Sequence, residues 1–215
     1  MTTASAVLRD QATAIAELGA SMFQRGLTFG RTGNISVRVG DHLLVTPTGV
    51  SLGALDPDAL SVVDLDGTHV DGAQPSKEAF LHAAVYRSRP AERAVVHLHS
   101  THAVAVSCLA DVDPADVLPP ITAYYVMRVG RLPLLPYHAP GDVSLGPLAE
   151  LTAADHRCFL VANHGSVAAG TDLASAADAA EELEETARLY LLLRGRATRP
   201  LTTDQVADLN RRFPA

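Results

Sequence analysis

Ala94-Val95-Val96-His97-Leu98-His99, followed by Ser100-Thr101-His102, is the stretch on which the fold turns. The short β-branched run from Ala94 to His99 predicts a strand, and a helix is expected from about Thr101 to Leu109. Residues two apart on a strand point to the same face. His97 and His99 therefore present two imidazoles side by side, able to chelate one ion without distorting the backbone. A single histidine inside a protein is commonplace, whereas a pair at this spacing in a Val-rich strand is rarer.

Upstream, Ser76 can cap a helix that runs to about Arg87, with Pro90 as its stop. Before it, Ile35–Val39 and His42–Thr46 alternate around a Gly40-Asp41 turn and read as a hairpin, and Ser61–Leu65 and Thr68–Val70 flank a second turn at Asp66-Gly67. Residues 4–25 carry Leu8, Ala12, Ile15, Leu18 and Met22 at helical spacing, and Gly26 can end that helix. Downstream, Leu132–Leu135 and Cys158–Ala162 read as strands. Thr171 is expected to cap a long helix through Leu193, ended by Gly195, and a short helical stretch is expected near Thr203–Arg211. Helix, strands, helix, strand, helix, strands, helix is the order of a layered α/β fold. Its central sheet is expected to be mostly antiparallel and flanked by helices, since the regular βαβ alternation of a parallel sheet is missing. Residues 1–215 are expected to form one domain, with 196–215 as a C-terminal tail that packs across a neighbouring subunit.

Bulk properties narrow the function. In 215 residues, 47% are hydrophobic and Trp is absent, so the core rests on Leu, Val and Ala. A formal charge of -7 and a pI near 5.6, with no Lys/Arg cluster, argue against a nucleic-acid surface. An anionic substrate then needs a local positive site: a metal ion or backbone N–H groups. Cys108 and Cys158 lie in apolar contexts without CxxC spacing and are expected to be buried free thiols, which suits a reducing cytosol. No apolar run approaches the roughly 18–20 residues of a membrane span.

A third ligand for the histidine pair has two claimants. His164 follows a predicted strand and precedes Gly165, which suits a ligand presented at a sheet edge. His102 is three residues beyond His99, on the first turn of the next helix. Glu78, on the first turn of its helix, shares a face with His82 four residues on. Such a residue ordinarily serves the helix dipole, and as a ligand it needs the histidines nearby. Three histidines and a carboxylate suit zinc, with manganese, cobalt and iron(II) also compatible. If Glu78 leaves the ion when substrate arrives, it becomes an acid or base beside an open Lewis-acid position. The small, polar, Gly-containing segments at Gly33-Asn34, Thr48-Gly49 and Ser76-Lys77 can bring backbone N–H groups close to a phosphate.

Five motifs in this order, Gly33-Asn34-Ile35-Ser36, Thr46-Pro47-Thr48-Gly49, Pro75-Ser76-Lys77-Glu78, His97-Leu98-His99 and Asn163-His164-Gly165, resemble the class II aldolase/adducin family. The resemblance runs from the first helix to about Gly195. It implies a zinc site of Glu78, His97, His99 and His164, and so selects His164 over His102. It implies that Glu78 is also the acid/base residue, and that Gly33, Asn34, Thr48, Gly49, Ser76 and Lys77 line a phosphate pocket. It further implies a cytoplasmic homotetramer with active sites between subunits. Residues 121–130, 136–142 and 181–195, with Lys77 where sugar-phosphate aldolases usually carry a second serine, are similar to the branch that decarboxylates 3-oxo-tetronate 4-phosphates to dihydroxyacetone phosphate and CO2 through a metal-stabilised enediolate. In that branch Tyr124 is expected to act as a second proton carrier, reaching in from a neighbouring subunit. Two other readings stay open: an L-fuculose-phosphate-type aldolase or epimerase, which shares the same enediolate, and a non-catalytic adducin-like binding module.

Overall fold

The computed structural model describes residues 3–213. Its elements are α1 (Thr3–Gln24), β1 (Asn34–Val39), β2 (His42–Val45), β3 (Ser61–Asp64), β4 (His69–Gly72), α2 (Ala79–Ser88), β5 (Ala94–Leu98), α3 (Thr101–Ser107), α4 (Ala123–Arg128), β6 (Leu134–Leu135), α5 (Leu145–Asp155), β7 (Cys158–Val161), β8 (Gly165–Gly170), α6 (Leu173–Leu193) and α7 (Thr203–Arg212). The strands form one sheet in the order β4-β3-β2-β1-β5-β8-β7-β6. Every neighbouring pair is antiparallel except β6–β7. The expected layered α/β class with a mostly antiparallel sheet is what the chain adopts.

Strand alternation sorts the core into two halves. Ile35 and Val37 of β1 and Val96 and Leu98 of β5 bury on the face covered by α1, α3 and α6. Val95, Phe159, Val161 and Val167 bury on the opposite face, beneath α2 and α5. Because the period is two, Asn34, Ser36 and His97 belong to the α2 face, and β5 delivers its histidines there from the middle of the sheet.

Several boundaries differ from expectation. Ser76 does not begin the helix: its Oγ accepts from Glu78 N at 3.3 Å, and α2 starts at Ala79 with Glu78 as the flanking residue. At α6 the cap is Asp172 rather than Thr171, because Asp172 and Ser175 exchange side-chain-to-backbone bonds in a capping box. α4, α5 and β8 were not expected. Gly146-Pro147 obscures the Leu145/Ala149/Ala153 stripe that α5 buries, and β8 is built of small residues with weak strand preference. Within the chain, Leu201 N of the tail donates to Pro120 O at 2.8 Å, and Val206 and Leu209 pack against the core.

Cys158 is fully buried on β7, and burial pushes its thiol up to about 12. Cys108 is exposed, contrary to expectation, because it sits at the C-terminal cap of α3, past the last buried turn, where Asn163 Nδ2 donates to its Sγ at 3.3 Å. A maleimide should therefore label one thiol in the folded protein, at Cys108, and Cys108→Ser should abolish labelling; mass spectrometry of the digested adduct reads the site.

The segment just after β5 depends on a distant carboxylate. The Ser100 side chain makes no capping bond at the start of α3. Glu184 of α6 takes that task, accepting from His102 N at 3.0 Å, Ala103 N at 2.8 Å and His102 Nδ1 at 2.7 Å. These bonds place a negative charge on the positive end of a short helix. They also commit His102 to Glu184 and away from the other histidines. Glu184→Ala should lower the unfolding free energy by about 2 kcal/mol, since it strands buried backbone donors; the shift in urea midpoint measures it.

Candidate metal centre and active site

Four side chains from three places in the chain converge on the α2 face. β5 supplies His97, fully buried, and the residue just beyond its end supplies His99. The β7–β8 turn supplies His164, and Glu78 precedes α2. Their ligand atoms all lie within 4.8 Å of one another. Glu78 Oε2 is 3.1 Å from His97 Nε2, Glu78 Oε1 is 3.0 Å from His164 Nε2, and the Nε2 atoms of His97 and His99 are 3.1 Å apart. The three rings stand edge-on to one another, with centroids 4.7–5.1 Å apart.

Backbone features enforce the convergence. Asn163 takes a left-handed φ of 57°, which Asn tolerates better than most residues, and this turns the chain so that His164 points back over the sheet. At Gly165 a Cβ would lie 2.3 Å from Leu98 O and 3.1 Å from the His99 ring, so only glycine lets β8 pass this close to the end of β5. Gly33, with φ 79°, is likewise pressed against His97 O, where a Cβ would approach to 3.1 Å.

The donor chemistry suits a divalent cation. His97 Nδ1 donates to Ser166 O at 2.8 Å, which leaves Nε2 as the atom facing the cluster. His164 is buried, and neither ring nitrogen has a hydrogen-bond partner; its Nε2 approaches Glu78 outside hydrogen-bond geometry. Orphaned buried nitrogens are costly unless something binds them. Four ligands about 2 Å from a common centre would stand about 3.3 Å apart, and three of the separations here, at 3.0–3.1 Å, come close to that. The cluster therefore fits a borderline-soft ion held by nitrogen and oxygen.

Proton affinities reflect the crowding. Burial alone would raise Glu78, but the charge of His97 and the close approach of the His164 and His97 rings outweigh it and hold the carboxyl far below its usual range. Burial alone would lower His97, but Glu78 outweighs it and the net direction is up. His99 is pushed down to about 3 by burial and then by His97 and His164.

Of the expected phosphate-pocket residues, Asn34 touches Glu78, Gly33 is pressed against His97 O, and Ser76 and Lys77 directly precede Glu78. Asn34 pairs with His97 across β1–β5. Thr46 Oγ1 accepts from Ile35 N at 3.1 Å, and a bridge between Pro47 and Pro75 joins the Thr48-Gly49 loop to Ser76-Lys77. Thr48 N donates to Gln74 O at 3.0 Å, Gly49 has φ 73°, and Lys77 is exposed beside the Gly141 loop. Asn34 itself is buried, with Nδ2 donating to Glu78 Oε2 at 3.0 Å and Oδ1 bonded to His82. Its side chain thus has one N–H left for any other partner. Tyr124 lies on α4, 58% exposed, with the Arg128 guanidinium 5.3 Å from its ring centre, and none of its contacts joins it to the cluster within the chain. Sequence reasoning missed His82, Ser36 and Tyr86 as partners of the site. Their signal was the two-residue spacing of Asn34 and Ser36 on a strand and the four-residue spacing of Glu78, His82 and Tyr86 along a helix.

Among the described residues, no helix is long and apolar enough to cross a membrane. The class II aldolase and adducin N-terminal domain family matches residues 13–191. A 3-oxo-tetronate 4-phosphate decarboxylase of Escherichia coli strain K12 is 50% identical over 204 residues, covering 94% of each chain. One from Haemophilus influenzae is 48% identical over 197 residues, 91% of this chain and 94% of its own. The crystal structure of YgbL from Escherichia coli superposes with a TM-score of 0.91 at 45% identity, over 94% of this chain and 99% of that one. A solved L-fuculose 1-phosphate aldolase superposes with a TM-score of 0.85 at 26% identity, over 96% and 97%. The match spans most of the chain and includes every residue of the histidine–glutamate cluster, and the chain belongs to the class II aldolase and adducin family.

Proposed function

We propose that the protein is a divalent-metal-dependent carboxy-lyase that converts a 3-oxo-tetronate 4-phosphate to dihydroxyacetone phosphate and CO2. The observation that carries this reading is the convergence of Glu78, His97, His99 and His164 in a chain about half identical to decarboxylases of that name. Those four residues would hold the ion, which we take to be zinc. When bound, such an ion polarises the substrate's oxygens and stabilises the negative charge left as CO2 departs.

The chain's own residues supply the rest. The C1–C2 bond breaks, its electron pair moves toward the C3 oxygen, and C2 then takes a proton. Glu78, or a water that it polarises, delivers that proton, so one proton is consumed per turnover. Asn34 and the imidazole cluster hold the carboxylate in place for the transfer. Gly33, Asn34, Thr48, Gly49 and Ser76 offer N–H and O–H donors to the phosphate, and Lys77 offers a point charge. A positive pocket of this kind is what an acidic protein needs to bind a dianion. Tyr124 is assigned as a second proton carrier that serves a neighbouring subunit's site; its exposure and lack of contact with the cluster of its own chain support that assignment. We further propose that residues 1–215 act as a single domain, and that the active unit is a cytoplasmic homotetramer with sites between subunits.

Incubation of the zinc-loaded enzyme with 3-oxo-tetronate 4-phosphate, scored for CO2 and dihydroxyacetone phosphate, tests the assignment. Incubation with dihydroxyacetone phosphate and lactaldehyde tests the aldolase reading, favoured by 36% identity to the L-fuculose phosphate aldolase of Escherichia coli strain K12. A new carbon–carbon bond without CO2 release in the first assay would replace the decarboxylase reading with the aldolase one.

A further inference from the structure

His82 has no exposure, lies one turn beyond Glu78 on α2, and has both ring nitrogens bonded. Its Nε2 meets Asn34 Oδ1, and its Nδ1 lies 2.6 Å from Ser36 Oγ. Ser36 Oγ is 2.9 Å from the Tyr86 hydroxyl, which also donates to Ser36 O at 3.0 Å. At the other end, Asn34 Nδ2 donates to Glu78 Oε2 at 3.0 Å. We propose that His82 is a positioning residue for the reactive carboxylate: through Asn34 it fixes the direction in which Glu78 faces the histidine cluster. This rests on the reading of Glu78 as the residue that binds the ion and moves the proton.

The donor directions follow from the carboxylate outward. An ionised carboxylate only accepts, so Asn34 turns its NH2 toward Glu78 and its carbonyl toward His82. That carbonyl only accepts, so His82 carries its proton on Nε2. Nδ1 is then bare and accepts from the Ser36 hydroxyl, while the Tyr86 hydroxyl closes the chain on Ser36. From Ser36 through His82 to Asn34 each donor points toward Glu78, while the single Tyr86 proton goes to Ser36 O. A neutral imidazole is required, and burial followed by the like charge of His97 pushes the His82 pKa down to about 3. An asparagine amide alone can sit either way round. Beside His82 in this tautomer, only one way round avoids setting two acceptors or two donors face to face. Without His82 the Asn34 carbonyl loses its donor, the amide is held only by the carboxylate it should steady, and it can shift away from Glu78. The geometry therefore gives His82 control over a group it does not touch.

Four full-length variants test this: His82→Leu, His82→Gln, Asn34→Ala and the double His82→Leu/Asn34→Ala. Zinc affinity is read by competition with a chromophoric chelator, and kcat and KM are read on 3-oxo-tetronate 4-phosphate. His82→Leu should weaken zinc binding and lower kcat, each by roughly ten- to a hundredfold, as for other residues that orient a ligand, with KM little changed. His82→Gln, whose amide NH2 can replace Nε2–H, should recover most of both. The double variant should be no worse than Asn34→Ala, because His82 acts through Asn34. Wild-type zinc affinity and kcat in folded His82→Leu would overturn the proposal. So would losses that multiply in the double variant, or a His82→Gln as impaired as His82→Leu at equal thermal stability. If His82→Leu fails to fold, the wild-type tautomer still decides: nitrogen NMR at neutral pH should show His82 protonated on Nε2 alone, and the Nδ1–H form or an imidazolium would overturn it. Zinc affinity and tautomer do not depend on substrate. A wild-type enzyme that releases no CO2 therefore defeats the proposed function without deciding the role of His82.

Discussion

Dialysis against a strong chelator should lower CO2 release from 3-oxo-tetronate 4-phosphate at least about a thousandfold, and one equivalent of zinc per chain should restore it. The size follows from the task. A metal ion stabilises charge developing in a transition state by several kcal/mol, and each 1.36 kcal/mol is tenfold in rate. Among the described residues, the imidazoles hold a carboxylate between them, Arg87 of α2 and Arg89 just after it are paired with Glu150 and Glu92, and Lys77 is assigned to the phosphate. His97→Ala should reproduce the loss and resist rescue by zinc, since it removes a fully buried ligand already oriented by Ser166 O. The same site predicts a pH dependence for loading. In the metal-free protein Glu78 raises the proton affinity of His97 above its ordinary value, against the opposing effect of burial. The stability this gives the metal-free chain is complete below about pH 6.5 and is lost as pH rises through the higher folded pKa. Zinc needs His97 Nε2 bare, so it competes with that proton. The rise in thermal midpoint on adding zinc should therefore be larger at pH 8 than at pH 6. An equal rise at both, or full activity after chelation, would remove the basis for the metal site.

The strand carrying His97 was legible because its signal is local: β-branched residues in a row, with a side-chain period of two. The hairpins and the long helices were legible for the same reason. The third ligand was not, since His102 and His164 differ only in what the chain does after each of them. His102 is taken by Glu184, a residue 82 positions away, and no spacing rule reports such a pairing. His164 is returned to the site by a left-handed Asn163 and by a glycine that allows 2.3 Å clearance for a Cβ at most. Family resemblance supplied that choice; composition and period could not. The strand Gly165–Gly170 went unseen because its residues are too small to show the alternation that its buried position imposes. The orienting groups behind Glu78 left a trace on both elements that bear them. Until β1 is placed against α2, however, that trace looks like ordinary helix and strand spacing.

Glu78→Gln should cut kcat by about a hundred- to ten-thousandfold even when zinc is saturating, the range expected for loss of a positioned acid/base group. The substitution keeps side-chain volume and keeps an oxygen for the Asn34 donor, so folding should survive, with a thermal midpoint near that of the wild type. What it removes is the charge and the group that can take up and relay the proton. The charge loss should weaken zinc binding, which is why the comparison must be made at saturation: a defect that vanishes with added zinc would make Glu78 a ligand and nothing more. The proton loss has its own signature. In deuterated water the wild-type enzyme should deliver one solvent deuterium to a single face of the new hydroxymethyl carbon, because a buried carboxylate approaches from one side only. Residual turnover by Glu78→Gln should place deuterium on both faces, since solvent then has to do the work. Unchanged stereochemistry together with reduced kcat would assign the proton transfer to another group, with Tyr124 of a neighbouring subunit as the next to substitute. Glu78 thus has two tasks that the same atoms perform at different moments. The Asn34 contact at 3.0 Å serves both, because it holds the carboxylate whether or not the ion does.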